Sequence, residues 1–564
     1  MYNHDNKENT LIVYWQVIFS ILYIISIFIL YNFVDCSLND YFDEAIKKYP
    51  NRIAYISQGY EMTYKEHGDI VYRFAACLSD FGINKGNRVA IHLPNILQCV
   101  AAYYAIIKIG VIVVMHNPLY SPAELEFQFN DSGTKVAVTL DLFSNTIIDL
   151  RPKTKINQIV CVSFRDYLPS SVNPDTVLSV APKASDNVYK WTDLMKQYNP
   201  NPPAIKVTHE DIAQLQYTGG ITGVSKGAIL THSNLTKQLQ QIDAWDTSIH
   251  RGDAKTMVGA LPFFHVYGLS TVMNLNIYDG FKTILTARPT PESLIEIIQK
   301  YRPHIACLVP AMYIGMLNHP DFQKLDLSCI ERLMSGSAPL PIEVIKAYEA
   351  KTGIHINEGF GLTEASPVTH SNPYGTVQKT GSIGIPYPGT EVRLVDLETG
   401  ENDVPQGEPG EMTIRGPQIM KGYWNRPDET VQAIRNGWLY TGDIATMDED
   451  GYFFIVDRKK DMIISGGYNV YPREIDEVLY THPKILDACC IGVPHPTRGE
   501  QIKAFIVLKE GETATEKEII DFCSKKLAKY KLPTMVEFRS ELPKSNVGKI
   551  LRKVLREEEM KKMN

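Results

Sequence analysis

YTGGITGVSKGAILTH, Tyr217 to His232, sets four glycines, three threonines, one serine and one lysine between two short apolar runs. A strand-like entry (Ile212 to Tyr217) and exit (Ala228 to Leu230) make it a hairpin, and glycine lets such a loop turn its backbone N–H groups toward an anion. Phosphate is the natural guest. The Walker pattern G-x-x-x-x-G-K-[ST] does not describe it, because Ser225 stands five places after Gly220 and Gly227 follows Lys226 where a hydroxyl is required. Taken alone, a flexible surface hairpin explains the peptide as well.

The alternation of elements around this loop sets the fold class. Tyr64–Phe81 reads as a helix stopped by Gly82, followed by the strand Arg88–Leu93, a helix through LQCVAAYYAIIK, the strand VIVVM, the helix SPAELEFQF and the strand KVAVTL. Continuous apolar strands alternating with helices predict a doubly wound, mostly parallel α/β sheet covered on both faces. Similar strands recur at Val258–Pro262, Thr283–Ala287 and Cys307–Pro310. After Thr380 shorter strands with Gly/Pro/Asp turns predict a β-rich subdomain. A charged turn at Arg458–Asp461 predicts a hinge, and the remainder a small mobile α+β domain with a helix over Ala514–Tyr530 and a basic tail. The expected division is 1–10 tail, 11–34 transmembrane helix, 38–457 large domain, 458–461 hinge and 462–564 C-terminal domain.

The chain has 564 residues, 57 basic and 64 acidic, for a net charge of −7. That balance offers no general field for nucleic acid, and none is expected as a partner. Nine cysteines without a C-x-x-C pair predict reduced thiols and no zinc site. Leu11–Val34 is apolar but for Gln16, Ser20, Ser26 and Asn32, long enough to cross about 30 Å of hydrocarbon, with no basic cluster before it or A-x-A site after it. Lys47, Lys48 and Arg52 on its C-terminal side predict a single-pass anchor in the cell membrane with the body in the cytoplasm. A cleaved signal or a buried helix are the competing readings.

Further clusters are individually ambiguous. LPFFHVYG (Leu261–Gly268) puts His265 among aromatics, where a core histidine is the ordinary reading. INEGFGLTEASP offers Phe360 for stacking a planar base and Glu364 for Mg²⁺. YTGDIA places Asp443 where a carboxylate can accept two ribose hydroxyls, and LPKSNVGKILRK carries Lys549 near the end of the chain.

Together and in order, YTGGITGVSKGAILTH, LPFFHVYG, GFGLTE, GEMTIRGPQIMKGYW, YTGDIA, DRKKDMIISGGYNVYPREID and PKSNVGKILR resemble the signature motifs of the adenylate-forming superfamily, which includes acyl-CoA synthetases, luciferases and peptide-synthetase adenylation domains. The wording is most similar to that of bacterial long-chain fatty acid CoA ligases, from about residue 38 to the end. The resemblance implies ATP, Mg²⁺ and coenzyme A as co-substrates and cofactor, a fatty acid as substrate, and a monomer or homodimer. It implies that Thr218, Gly219, Gly220, Thr222, Gly223 and Lys226 hold the β- and γ-phosphates, and that Thr218 and Glu364 hold Mg²⁺. Gly336, Ser337 and Ala338 with Glu358, Gly359, Phe360, Gly361, Leu362 and Thr363 would form the adenine and α-phosphate wall. Asp443 and Arg458 would take the ribose, beside Ile455. Lys549 would bridge carboxylate and α-phosphate during adenylation. A swivel at Lys460 would then bring Ser465, Gly466 and Gly467 toward the thiol, with His265 bordering its entry; Lys549, Glu364, Thr218 and His265 are the expected catalytic group. Ile221, Ser225 and Phe360 depart from the usual threonine, proline or alanine, and tyrosine. An aryl or medium-chain acid ligase, and a membrane nucleotide or fatty-acid binder without catalysis, remain alternatives; a peptide-synthetase domain is disfavoured because the chain stops soon after Lys549.

Overall fold

The computed structural model describes residues 31–218, 225–246, 248–374, 378–465, 468–495, 499–545 and 548–563. Two large sheets form the N-terminal body. One has seven strands in the order 188–190, 158–162, 136–140, 88–92, 112–115, 212–218 and 226–231, parallel except for the last pair. The other has nine, parallel from 356–361 through 332–335, 305–308, 256–259 and 282–285 to 53–57, with antiparallel strands at both edges. Between the sheets lies the helix Leu97–Lys108, buried at every position from Leu97 to Ile107. A helix apolar all round has to be covered all round, and its lack of an amphipathic stripe is the trace of that position.

Local chemistry sets the element ends. Thr63 and Glu66 make a capping box at the start of Tyr64–Asp80, and Ser121 with Glu124 does the same before Pro122. Gly133 ends that second helix at φ 63°.

The β-rich subdomain is a five-stranded antiparallel sheet of 391–395, 410–415, 434–435, 438–447 and 453–458. The C-terminal domain pairs the long strands Ile485–His495 and Gly499–Leu508, with 463–465, 468–470 and 535–538 completing its sheet. Two expectations fail here. The helix expected over Ala514–Tyr530 stops at Ser524, because the chain turns to put Leu527 and Leu532 against the domain core. The expected basic tail is a helix, Arg552–Met563, packed on Ile485–His495.

Most of the expected transmembrane helix lies outside the described residues, and so does the tail before it. Its last four positions, Tyr31–Val34, are not helical. The side-chain amide of Gln240 mimics a strand partner for them: Val34 N–H donates to its Oε1 at 2.8 Å and its Nε2 donates to the Val34 carbonyl at 3.0 Å. Among the described residues no helix is long and apolar enough to cross a membrane.

Candidate active site

The two strands that flank the glycine-rich loop form as their sequence predicts. Strands Ile212–Thr218 and Lys226–Thr231 pair antiparallel with Thr218 opposite Lys226, so the loop mouth is closed by those two residues. Gly219, Gly220, Ile221, Thr222 and Gly223 lie outside the described residues. Ser225 Oγ donates to the Thr218 carbonyl at 2.7 Å, tying the mouth shut. Lys226 pairs with Glu429 and lies 5.2 Å from the centre of the Tyr423 ring. Both partners of that ion pair are partly exposed, and such pairs are weak enough to yield to a phosphate.

Glu364 sits beside this mouth. Tyr423 O–H donates to its carboxylate at 2.7 Å, and Met420 N–H to its backbone carbonyl at 2.8 Å. The segment Lys421–Trp424 bonds along the edge of the hairpin, with Trp424 N–H to the Gly227 carbonyl at 2.8 Å. Tyr423, which orients the carboxylate, was present in the quoted GEMTIRGPQIMKGYW but carried no assignment in the sequence. Among the described residues no cluster of three His, Cys, Asp or Glu side chains could hold a metal. Mg²⁺ needs none when nucleotide phosphates and water complete its shell, and one oriented carboxylate with a neighbouring threonine hydroxyl fits that requirement.

The parallel strands 332–335 and 356–361 end side by side, which is where open α/β sheets bind ligands. Gly336, Ser337 and Ala338 follow the first; Glu358, Gly359, Phe360 and Gly361 close the second, and Leu362 and Thr363 continue it. Gly361 is required by contact, since a Cβ there would lie only 2.1 Å from the Pro367 carbonyl oxygen, and one on Gly336 would press on the Tyr267 ring at 3.2 Å. Ser337 holds φ 72°, a left-handed backbone uncommon for serine. Phe360 packs edge-on to His370 at 6.0 Å. Burial raises the Glu358 carboxyl to about 7, while it accepts a hydrogen bond from Leu340 N–H at 3.1 Å.

Asp443 and Arg458 face each other across neighbouring strands, 2.9 Å apart. The second carboxylate oxygen of Asp443, Oδ2, is buried without a partner. An orphaned acceptor there is what a ribose hydroxyl would satisfy. Burial raises the Asp443 carboxyl, against the pull of Arg458, Lys549 and Lys460.

Lys549 comes into the same cleft from the C-terminal domain. Burial and then the Arg458 charge lower its ammonium to about 8, with Asp443 and Asp461 acting the other way. Its neighbour Gly548, at φ 75°, packs so closely that an added Cβ would stand 2.9 Å from the Cβ of Ala311. His265 is lowered to about 4 by burial and then by Lys549, so it is neutral near pH 7, and its Nδ1 accepts from Tyr267 N–H at 3.2 Å. Burial likewise lowers Lys460 to about 8.

Ser465 is placed elsewhere. It lies in the hairpin strand Ile463–Ser465, opposite Tyr468 and Gly499, while Gly466 and Gly467 lie outside the described residues. The structure brings Lys549, His265, Asp443, Arg458 and Lys460 together, and the described contacts of Ser465 are within its own sheet. Arg473, which no residue pattern singled out, links the domains: its guanidinium donates to the Ile455 carbonyl at 2.9 Å and its N–H to Asp457 at 2.7 Å.

A cavity of about 50 Å³ lies against the nine-stranded sheet, with Val368, Met334, Cys307 and Tyr374 among its walls.

Residues 42–424 match the AMP-binding enzyme family, and 474–549 the AMP-binding enzyme C-terminal domain. A long-chain-fatty-acid–CoA ligase of Bacillus subtilis (strain 168) is 44% identical over 532 residues, covering 93% of this chain and 94% of that one. The ATP-bound crystal structure of MatB from Rhodopseudomonas palustris superposes with a TM-score of 0.83 at 28% identity, over 93% of this chain and 99% of that one. Its apo structure gives 0.73 at the same identity and coverage. The ordered motifs, the two-domain cleft and these matches have one conclusion: the chain belongs to the AMP-binding enzyme family.

Proposed function

We propose that the protein is an ATP-dependent, AMP-forming ligase that joins a fatty acid, long-chain in preference, to coenzyme A through an acyl-adenylate. The observation that carries this reading is Lys549 seated in the cleft between Asp443, Arg458 and His265. The sequence identity to a long-chain ligase and the higher similarity to an ATP-bound relative than to its apo form support it.

The acid carboxylate oxygen attacks the α-phosphorus, and pyrophosphate leaves. Lys549, cationic, draws the two anions together and stabilises charge growing on the α-phosphate. Thr218, the glycine loop and Lys226 hold the outer phosphates, Lys226 exchanging Glu429 for phosphate. Mg²⁺, held by Glu364 and Thr218, would neutralise phosphate charge. Asp443 accepts the ribose hydroxyls, and Phe360, the Gly336–Ala338 turn and Ile455 enclose the base. A rotation of the C-terminal domain about Lys460 then withdraws Lys549 and turns the loop after Ser465 toward the cleft. There the thiolate of coenzyme A attacks the acyl carbonyl carbon and AMP leaves. His265, neutral, borders the entry without adding a charge.

The apolar stretch Leu11–Val34, most of it outside the described residues, is read as a membrane-inserting segment that keeps the body at a lipid surface. The test is CoA-ester and pyrophosphate formation with acids from acetate to oleate and with 4-coumarate. Ester formation highest with long-chain acids is expected. Highest turnover with 4-coumarate or a short acid would overturn the chain-length reading; no pyrophosphate with any acid would favour a binder.

A further inference from the structure

Pro472 opens the helix Pro472–Tyr480 of the C-terminal domain with no N–H to donate, and the N-cap residue Tyr471 offers the first turn no side-chain hydrogen bond. Glu474 N–H reaches the Tyr471 carbonyl at 3.1 Å, so Arg473 N–H is the first donor that needs an acceptor from outside the helix. The body supplies it. Asp457, on the strand Phe453–Arg458, accepts from Arg473 N–H through Oδ2 at 2.7 Å, while its Oδ1 accepts from Arg458 N–H at 2.7 Å. A carboxylate placed there also meets the positive end of the helix dipole. Asp457 is only 3% exposed, so water competes little for the contact.

Arg473 makes a second bond across the same boundary. Its guanidinium donates to the Ile455 carbonyl at 2.9 Å and is steadied by Glu477, one turn along the helix, at 2.9 Å. Arg552 approaches Asp457 to 4.0 Å. Asp457 and Ile455 belong to the body, where 453–458 pairs with 438–447; Arg473 and Arg552 belong to the domain that carries Lys549. Both flanks of the expected pivot, Lys460, are tied down. Before it, Lys459 N–H donates to the Gly442 carbonyl at 2.9 Å and its ammonium to Glu411 at 2.7 Å. After it, Arg556 donates to the Lys460 and Asp461 carbonyls at 3.2 and 3.1 Å. A turn about Lys460 therefore carries Arg473 away with the C-terminal domain, and its bonds to Asp457 and Ile455 have to break for Lys549 to leave.

We propose that Asp457 and Arg473 form a clasp that keeps the C-terminal domain in the orientation that seats Lys549, so that these two positioning residues set the balance between the adenylate-forming and thioester-forming halves of the reaction. The inference rests on the ligase reading and on a pivot at Lys460. Neither residue touches the reacting atoms in this role; both act through Lys549. Loss of one charge-assisted hydrogen bond changes the ratio of the two orientations by about tenfold or more, and the ratio of the two half-rates follows it whichever orientation predominates.

The experiment uses the full chain and the acid that the unaltered protein activates fastest. It measures acid-dependent exchange of pyrophosphate into ATP, and thioester formation from the supplied acyl-adenylate and coenzyme A, and takes the ratio of the two rates. Asp457→Ala and Arg473→Ala are each expected to lower that ratio by about tenfold, with the thioester step at or above its unaltered rate. Asp457→Asn, which keeps an acceptor for Arg473 N–H without the charge, is expected to fall between Asp457→Ala and the unaltered protein. A merely structural role would depress both halves together. An equal fall in both halves, or a ratio within about twofold of the unaltered protein in either alanine variant, overturns the proposal. If Asp457→Ala does not fold, the ratio in Arg473→Ala decides by the same limits. No exchange by the unaltered protein with any acid sinks the ligase reading and this inference with it; normal exchange with an unmoved ratio sinks this inference alone.

Discussion

In the proposed reaction the ammonium of Lys549 has to be charged when the carboxylate approaches the α-phosphate, yet burial and Arg458 both work against its charge. Its cation is therefore present below about 8 in the free enzyme and lost as pH rises through that value. The kcat/KM for acid-dependent pyrophosphate release should fall on the alkaline side with an inflection near 8, and in Lys549→Arg, which stays protonated, the inflection should move upward by more than about one unit. An unchanged profile in Lys549→Arg would assign the limb to another group, of which Lys460, held low by the same burial, is the nearest. The identity of Lys549 was readable from its motif, whereas its titration was not. That shift comes from burial and then from Arg458, partly offset by Asp443 and Asp461, all remote in sequence and brought close only by the docking of two domains.

At the scale of elements, the strands and helices of the large body follow from apolar periodicity and caps, because each local signal agrees with the packing it meets. The glycines of GFGLTE are a sharper case. Gly361 passes so near the Pro367 carbonyl that Gly361→Ala should cost about 3 kcal/mol or more and displace the strand end that carries Phe360 and Glu358. A thermal melt is expected several degrees lower with weakened nucleotide binding, and a melt within about one degree of the unaltered protein would refute the contact. The C-terminal helix was missed, since lysine and arginine are as common in solvated tails as in helices. Its meaning lies in partners far away in the chain: Arg552 pairs with the buried Asp476, and Arg556 reaches Asp461 at 2.8 Å and the Lys460 carbonyl at 3.2 Å. Arg552→Ala should destabilise the C-terminal domain by about 3–5 kcal/mol by leaving Asp476 uncompensated, and Arg552→Met with Asp476→Asn should recover most of it. Equal melting of the single and double variants would show that the pair does not act as one unit.

For the whole molecule, the arrangement of the domains is what converts scattered motifs into one cleft. Gly548 against Ala311, Arg473 on Ile455 and Lys549 beside Asp443 all cross from the C-terminal domain to the body. A linear sequence names these residues and is silent on their meeting, because the meeting depends on how two independently folded cores dock. The same docking explains why Ser465 stands apart while Lys549 is engaged: one rigid domain cannot present both to the cleft at once. Lys549 should therefore serve only one half of the proposed reaction. The direct measurement is to assay the two halves separately in Lys549→Ala. Acid-dependent exchange of pyrophosphate into ATP is expected to fall by a factor of at least about 10², while conversion of supplied acyl-adenylate and coenzyme A to the thioester stays within a few-fold. Exchange that persists near the unaltered rate, or equal loss in both halves, would contradict it.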